Sequence, residues 1–455
     1  MTFFSDTICA PATSTGTGAI SIIRVSGPDS LAIADKVIHF RKGDAASSAG
    51  YTLKFGSILT PSGETLDDVL VSIFRAPHSY TGEDGLEISC HASQYIVSQI
   101  LAMLVDAGCR SAGPGEFTRR AFVNGKMDLA QAEAVADVIS SSSEAMHRVA
   151  MNQLKGGYSA ELGEMRAQML ELAALMELEL DFSEEEVNFA DRSRLAGLLD
   201  AAIARVSSLS DTFRTGNALK NGVPTVIAGA ANSGKSTLLN ALLGEDRAIV
   251  SDIPGTTRDT IEETMNVGGI IFRFIDTAGL RETSDTIEKM GIERSLASIG
   301  SASVVIGVVD GSLHVERQAE DADMIRQAAE GKDLIMVCNK SDAAVQVDRS
   351  LNDAIRISAL KKEGIDTIRE RLLELERSRF SEHGANMVTN LRHYEALRRA
   401  LSALQNVRTG LDAMIPTDLL AEDLRLAIAE IGSVTGEIST DEVLGEIFKR
   451  FCVGK

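Results

Sequence analysis

The chain has 455 residues, a formal net charge of −20 at pH 7 and 44% hydrophobic residues. That length allows two or three domains with substantial cores, and the mix excludes a disordered or low-complexity chain. The acidic balance argues against unaided grip on nucleic acid, because contacts from Lys and Arg to phosphate supply most of that affinity. Met1–Ser14 lacks the basic start and apolar core of a secretory signal, and the longest apolar run, around Ser303–Val309, is too short to cross a bilayer. The five cysteines, Cys9, Cys90, Cys109, Cys338 and Cys452, form no paired metal spacing. An odd number without a leader fits a reducing compartment, so a cytoplasmic protein with no membrane association is expected.

Residues 1–118 read as a small α/β domain. Strands are predicted at Thr7–Ala10, Ala19–Val25, Leu53–Ile58 and Val69–Phe74, where apolar residues alternate or are β-branched between Gly, Pro and Ser. The spacing predicts a helix over Tyr95–Ala107. His39, His78 and His91 stand alone and suggest no catalytic grouping. Residues 119–217 then read as long helices, the first half of a helical domain. One apolar stripe is Leu129, Ala132, Val135 and Ile139; another is Met165, Leu172, Leu175 and Leu178; a third is Leu195, Leu199, Val206 and Phe213. Glu184-Glu185-Glu186 reads as a solvated loop or helix start, not a metal site.

Residues 218–378 carry the chemistry. A short apolar strand, Val223–Ala228, runs into Gly229-Ala230-Ala231-Asn232-Ser233-Gly234-Lys235-Ser236, and a helix follows from Thr237. Strand, glycine-bounded loop and helix N-terminus make a phosphate-binding P-loop, in which backbone N–H groups curl around an anion and the helix dipole favours it. Lys235 is placed to reach the outer phosphates and the Ser236 hydroxyl to ligand Mg²⁺. Asp276-Thr277-Ala278-Gly279 ends the predicted strand Ile270–Ile275, where a metal-side carboxylate and a γ-phosphate-sensing glycine are wanted. Asn339-Lys340-Ser341-Asp342 follows the strand Leu334–Cys338, and Asp342 can accept the two N–H bonds of guanine's edge, a donor pattern adenine lacks. Ser358-Ala359-Leu360 is similar to the guanine-O6 loop of GTPases. Together, in this order, the segments point to GTP and GDP.

Residues 379–455 return to helices, with Leu391, Tyr394, Leu397, Leu401, Leu404 and Leu411 at helical spacing, then Leu424, Ile428 and Ile431. Helices on both sides of the nucleotide domain predict that it is inserted into one helical domain. Ser439–Glu442 reads as a capping box opening a last helix, Val443–Arg450.

The carrying motifs of a family resemblance are now in place. They are the inserted nucleotide domain, Asp252-Ile253-Pro254-Gly255-Thr256-Thr257-Arg258-Asp259, and Pro114-Gly115-Glu116-Phe117-Thr118 with Arg120-Ala121-Phe122. To these add Asn124-Gly125-Lys126, Gln131-Ala132-Glu133 and the terminal Cys452-Val453-Gly454-Lys455. Along its full length the chain resembles the MnmE (TrmE) family of tRNA-modification GTPases. It departs mildly, with Val453 where the family commonly has Ile or Leu and Ser251 where it commonly has Thr. The resemblance implies a multidomain α/β plus α architecture: an N-terminal α/β folate-binding and dimerisation domain, a helical domain, and an inserted, doubly wound, Ras-like P-loop GTPase domain.

The resemblance also implies a homodimer that joins an FAD-binding partner of the MnmG type in a heterotetramer. Together they add an aminomethyl or carboxymethylaminomethyl group to C5 of the wobble uridine of certain tRNAs. The one-carbon unit comes from a tetrahydrofolate derivative of 5-formyl or methylene type, and the tRNA is held largely by the partner. Family positions place Ser236 and Thr257 on Mg²⁺, and Asn232, Ser251, Ile253 and Thr256 around a K⁺ that replaces an arginine finger. Leu280 stands where Ras-like proteins carry a water-orienting Gln, and Glu288 matches the residue proposed to position the attacking water. Arg24, Glu87, Lys126 and Lys455 match folate positions; basic groups suit the glutamate tail and a carboxylate suits the pterin N–H edge, without a decision on which does which. Cys452 reads either as a catalytic thiol or as a packing or partner contact. The alternative is a ribosome-assembly GTPase switch. Against it stand the absence of a basic RNA-binding tail or KH-type GxxG loop, and an N-terminal domain with no role in that reading.

Overall fold

In the computed structural model the described residues are 4–14, 18–181, 192–244, 263–275, 299–300, 302–344, 346–383, 386–437, 441–449 and 451–454. The chain divides into two compact units, one of residues 1–136, 153–166 and 429–455, the other of residues 137–152 and 167–428.

The first unit is built on a seven-stranded sheet of β1 (Ile8–Pro11), β2 (Ile20–Ser26), β3 (Ile38–Phe40), β4 (Thr52–Leu59), β5 (Thr65–Phe74), β6 (Gly85–His91) and β7 (Arg110–Ser111). Its order is β3-β4-β5-β6-β2-β1-β7, antiparallel throughout except for the parallel β1–β7 pair. Helices Ser30–Val37 and Gln94–Asp106 cover one face, where Val25, Val71, Ile73, Ile88, Leu31 and Leu104 form the core. The four strands predicted here and the helix are present with shifted ends, the largest shift being the start of β5 at Thr65. Strands β3, β6 and β7 go beyond the expected set. In β6, Leu86, Ile88 and Cys90 turn inward while Glu87, Ser89 and His91 turn outward, the alternation of a half-buried strand.

Arg120, fully buried, fastens this unit together. Its Nη1 donates to Glu83 Oε1 and Oε2 at 3.2 Å, and its Nη2 to Asp6 Oδ1 at 2.8 Å and to Glu116 Oε1 at 3.2 Å. A buried guanidinium without such partners would be very costly, so the helix Glu116–Val123 is tied both to the loop before β6 and to the segment before β1. The C-terminal segment joins the same unit. Leu444, Phe448 and Phe451 pack with Leu129 and Ala132, and Val453 bridges to Pro114. Gly454 follows at φ +96°, and a Cβ there would lie 2.0 Å from the Pro11 carbonyl oxygen, so only glycine fits the approach.

The second unit holds a six-stranded sheet of β8 (Val223–Ala228), β9 (Glu263–Val267), β10 (Ile270–Phe274), β11 (Val304–Asp310), β12 (Asp333–Asn339) and β13 (Ile355–Arg356), ordered β13-β12-β11-β8-β10-β9. All neighbours are parallel except β9–β10. Every residue of β11 is buried, as expected of a central parallel strand covered on both faces. The carboxyl ends of β8, β11 and β12 lie side by side, the usual ligand edge of a doubly wound sheet. The helix Arg192–Asp211 packs on the helix Leu391–Asp412 through a core that includes Leu195, Leu199, Val206, Leu397, Leu401 and Leu404. Thr212 Oγ1 accepts from Val388 N at 3.0 Å and Phe213 stacks on Tyr394 at 4.3 Å, so the segment leading into β8 is fastened to the one following the helix Ile365–His383.

Two helical expectations change in detail. Ile139 is exposed rather than part of the apolar stripe, because Asp137 turns inward to pair with Lys220 at 2.7 Å. The last helix is Asp441–Phe448, and the expected cap at Ser439 lies outside the described residues, as does Glu184-Glu185-Glu186. Among the described residues no helix is long and apolar enough to cross a membrane.

Candidate functional site

β8 delivers the chain into the 229–234 loop, and the helix Lys235–Leu243 leaves it. Gly234, at φ +95°, sits so close to Asn339 that a Cβ would fall 2.2 Å from its Nδ2. Asn232 takes a left-handed φ of +60° and exposes its amide. Lys235 Nζ curls into the loop, donating to Gly229 O at 3.0 Å and Ala230 O at 2.8 Å. Burial pulls its pKa below the ordinary lysine value, and among the described residues no carboxylate pairs with it. Among the described residues the ammonium therefore sits half-buried against neutral carbonyls only, a state that an incoming phosphate improves. Ser236 and Thr237 occupy the first turn of the helix, whose N–H groups lack intrahelical acceptors and favour an anion. Ser233 is buried, and its Oγ has no hydrogen-bond partner among the described residues. The donor set fits a polyphosphate, and the Ser236 hydroxyl is an oxygen ligand of the type a hard Mg²⁺ takes.

The base end is assembled from the carboxyl ends of β11 and β12 and the loop after β13. Asn339 spends both ends of its buried amide on the protein: Nδ2 donates to Ser233 O at 2.8 Å and Oδ1 accepts from Ala359 N at 3.0 Å. It clamps the phosphate loop to the Ser358-Ala359-Leu360 loop. Ser341 N donates to Ile357 O at 3.0 Å, and Ser358 and Glu363 exchange backbone hydrogen bonds at 3.1 Å. The Ser358 hydroxyl holds the Asp342 carboxyl below the usual range, with Lys361 Nζ 3.6 Å away. Asp342 is thus an ionised acceptor beside the loop, suited to the paired N–H edge of guanine. Leu360 is exposed.

In the other unit, Arg24 and Glu87 face each other across β2 and β6. Arg24 Nε and Nη2 both donate to Glu87 Oε1, at 3.0 and 2.8 Å, which leaves Oε2 able to accept. The guanidinium lies 5.2 Å from the Tyr80 ring centroid and 5.6 Å from that of Phe117. A pocket lined by Arg24, Phe74, Ser79, Tyr80 and Glu87 opens here. Lys126 Nζ donates to Pro77 O at 3.0 Å, at the far end of the loop that carries Tyr80. An aromatic wall beside a carboxylate with a spare oxygen fits a flat heterocycle with an N–H edge. Arg24 Nη1 also donates to Gly454 O at 3.4 Å, so the C-terminal segment reaches this pocket. Cys452 is exposed, and its carbonyl accepts from Gly115 N at 3.3 Å.

Asp310 and Tyr80 escape the sequence reading, although Asp310 is signalled by a carboxylate ending an otherwise apolar strand. Ser251, Asp252, Ile253, Pro254, Gly255, Thr256, Thr257, Asp276, Thr277, Ala278, Gly279, Glu288 and Lys455 lie outside the described residues.

Residues 7–126 match the family description "GTP-binding protein TrmE N-terminus" and residues 129–452 match "MnmE helical domain". The chain is 49% identical to the tRNA modification GTPase MnmE of Bacteroides thetaiotaomicron, covering 99% of each chain. It is 48% identical to that of Porphyromonas gingivalis, covering 100% of this chain and 99% of that one. Among solved structures, it is similar to the G domain of the T. maritima FeoB iron transporter at 24% identity, over 33% of this chain and 97% of that one, with a TM-score of 0.25. With a phosphate loop and a guanine-type edge on one sheet, and matches that run the length of the chain, this protein belongs to the MnmE (TrmE) family of tRNA modification GTPases.

Proposed function

We propose that this chain hydrolyses GTP to GDP and phosphate to drive a conformational step in wobble-uridine modification. In that reading it acts as a homodimer with an FAD-binding, MnmG-type partner that holds the tRNA, and a tetrahydrofolate derivative supplies the one-carbon unit. The observation that carries the nucleotide chemistry is Lys235, whose half-buried ammonium has only carbonyl partners among the described residues.

On nucleotide entry Lys235 exchanges those carbonyls for phosphate oxygens, the loop and helix N–H groups take the remaining acceptors, and Asp342 accepts from the guanine edge. Ser236 and Thr257 would hold Mg²⁺, which neutralises charge on the phosphate oxygens. Leu280 has no group with which to orient water. Glu288 is assigned that task, and Asn232, with Ser251, Ile253 and Thr256, would hold a K⁺ that offsets charge developing on the phosphates. Asn232 is an exposed residue, and an amide oxygen is the kind of ligand such a hard cation takes. At the N-terminal pocket, Glu87 and Tyr80 would hold the pterin ring, and Arg24 and Lys126, with Lys455, would provide the charge that faces the folate carboxylates.

GTP turnover by the full chain in KCl against NaCl at equal ionic strength tests the cation assignment. A large rate increase in potassium alone is expected. Equal rates would remove K⁺ and the ligand role of Asn232 while leaving the GTPase reading intact. Titration with 5-formyltetrahydrofolate tests the second pocket, and unchanged affinity in Glu87→Gln would sink that assignment.

A further inference from the structure

Asp310 ends β11 in register with Asn339 at the end of β12. Its Oδ1 accepts from Ser312 N at 2.9 Å and from Ser312 Oγ at 2.6 Å, while Oδ2 accepts from Lys340 Nζ at 2.5 Å. The two partners differ in environment: the Asp310 side chain is 8% exposed and that of Lys340 38%. Lys340 adopts φ +60°, a left-handed conformation that a lysine takes only when its surroundings impose it. Its turn is closed by Ala343 N donating to Lys340 O at 2.9 Å. Main chain and ammonium are both fixed, and the hydrocarbon stem between them stands two residues before Asp342.

We infer that Asp310 is a positioning residue for guanine binding, which holds Lys340 by its ammonium so that the stem forms one wall of the base site. The inference rests on the nucleotide-site reading and adds a residue to it. A lysine stem has many rotamers, and fixing it before the ligand arrives removes that entropy cost from binding. The charge needed is present. Burial works against ionisation of Asp310, but Lys340 and Ser312 outweigh it and hold the carboxyl below its usual range. A second buried carboxylate nearby, Asp321, is pushed up by burial, with Glu320 and Asp310 adding to the effect against Arg317.

The test is a double-mutant cycle on GDP affinity of the full chain, with Asp310→Asn, Lys340→Met and both together, and inorganic pyrophosphate as the probe that has no base. Asp310→Asn is expected to weaken GDP binding about tenfold and to add little in the Lys340→Met background. Pyrophosphate affinity is expected to stay level in all three variants. Equal losses in both backgrounds, a matching loss for pyrophosphate, or GDP affinity kept within about twofold would each overturn the inference. Failure of the unaltered chain to bind GDP would instead overturn the nucleotide-site reading, and this inference with it. Should Asp310→Asn unfold, Ser312→Ala decides, since it keeps the charge and removes the hydroxyl's hydrogen bond to it while the backbone one stays. About two- to threefold weaker GDP binding supports the inference and an unchanged affinity overturns it.

Discussion

Two cations, one in each unit, are withdrawn from solvent and treated in opposite ways. Arg120 is surrounded by the carboxylates of Glu83, Asp6 and Glu116, so its charge is satisfied before any ligand arrives. Lys235 has two peptide carbonyls and, among the described residues, no carboxylate. The difference separates a cation that holds the fold from one held ready for an anion. A guanidinium suits the first task because its planar fork serves several carboxylates at once, and a lysine suits the second because a compact ammonium can change partners.

The comparison breaks if the two residues trade effects. Arg120→Met should lower stability by about 3–5 kcal/mol, because it leaves carboxylates gathered around an absent charge. Thermal unfolding of the full chain would read this, with GDP affinity unchanged in whatever fraction stays folded. Lys235→Ala should do the reverse: turnover of GTP falls by about 10²–10³-fold while the unfolding temperature moves little. A large loss of stability in Lys235→Ala would mean that its ammonium is structural after all. Gly454→Ala should cost about 1–3 kcal/mol locally, seen as faster hydrogen exchange at residues 451–454. Global unfolding in that variant would assign the segment a larger role than edging the Arg24 pocket.

The smallest effects are set by pH, and they fall at opposite ends of the scale. Burial depresses the Lys235 pKa below 10.5, so the phosphate-binding form is lost on the alkaline side sooner than for an ordinary lysine. Nucleotide binding takes up a proton there, and GDP affinity should fall with rising pH; Lys235→Arg should delay the fall. Around Arg120 the sign reverses. Burial alone would raise the Asp6 and Glu116 carboxyls, but Arg110 and Arg120 outweigh it and lower both. Their stabilisation is present above the ordinary values of 3.8 and 4.5 and is lost as pH falls further through the depressed ones. An acid melting curve unaltered by Arg110→Gln would show that this arginine does not carry that dependence.

What the sequence displayed plainly was whatever lies close together along it. The loop from Gly229 to Ser236 could be read because a strand, two glycines, a lysine and a helix start follow each other without a gap. Insertion of the nucleotide domain was likewise visible in the helical spacing of Leu391–Leu411. Asp310 was not, because its partner Lys340 is 30 residues away and is brought to it only by the β11–β12 register. Arg120 could be quoted as part of a motif, but Asp6, its partner 114 residues earlier, carries no local mark. Asn339 was legible as part of a nucleotide motif, whereas its clamp between two loops depends on the order of strands in the sheet. Ile139 failed for a related reason, since the pull of Lys220 on Asp137 is a tertiary contact that helical periodicity does not contain.

The bond from Arg24 to Gly454 spans 430 residues. At common rates of protein synthesis that separation corresponds to roughly 20–90 s of elongation. From Ser111 onward the seven strands of the N-terminal sheet are all present, yet the pocket beside Arg24 still lacks one of its edges until Gly454 is made. A ribosome-bound chain therefore carries a formed sheet with an unfinished pocket, and completion of that pocket becomes a late event in biogenesis, timed by translation instead of by folding of the sheet.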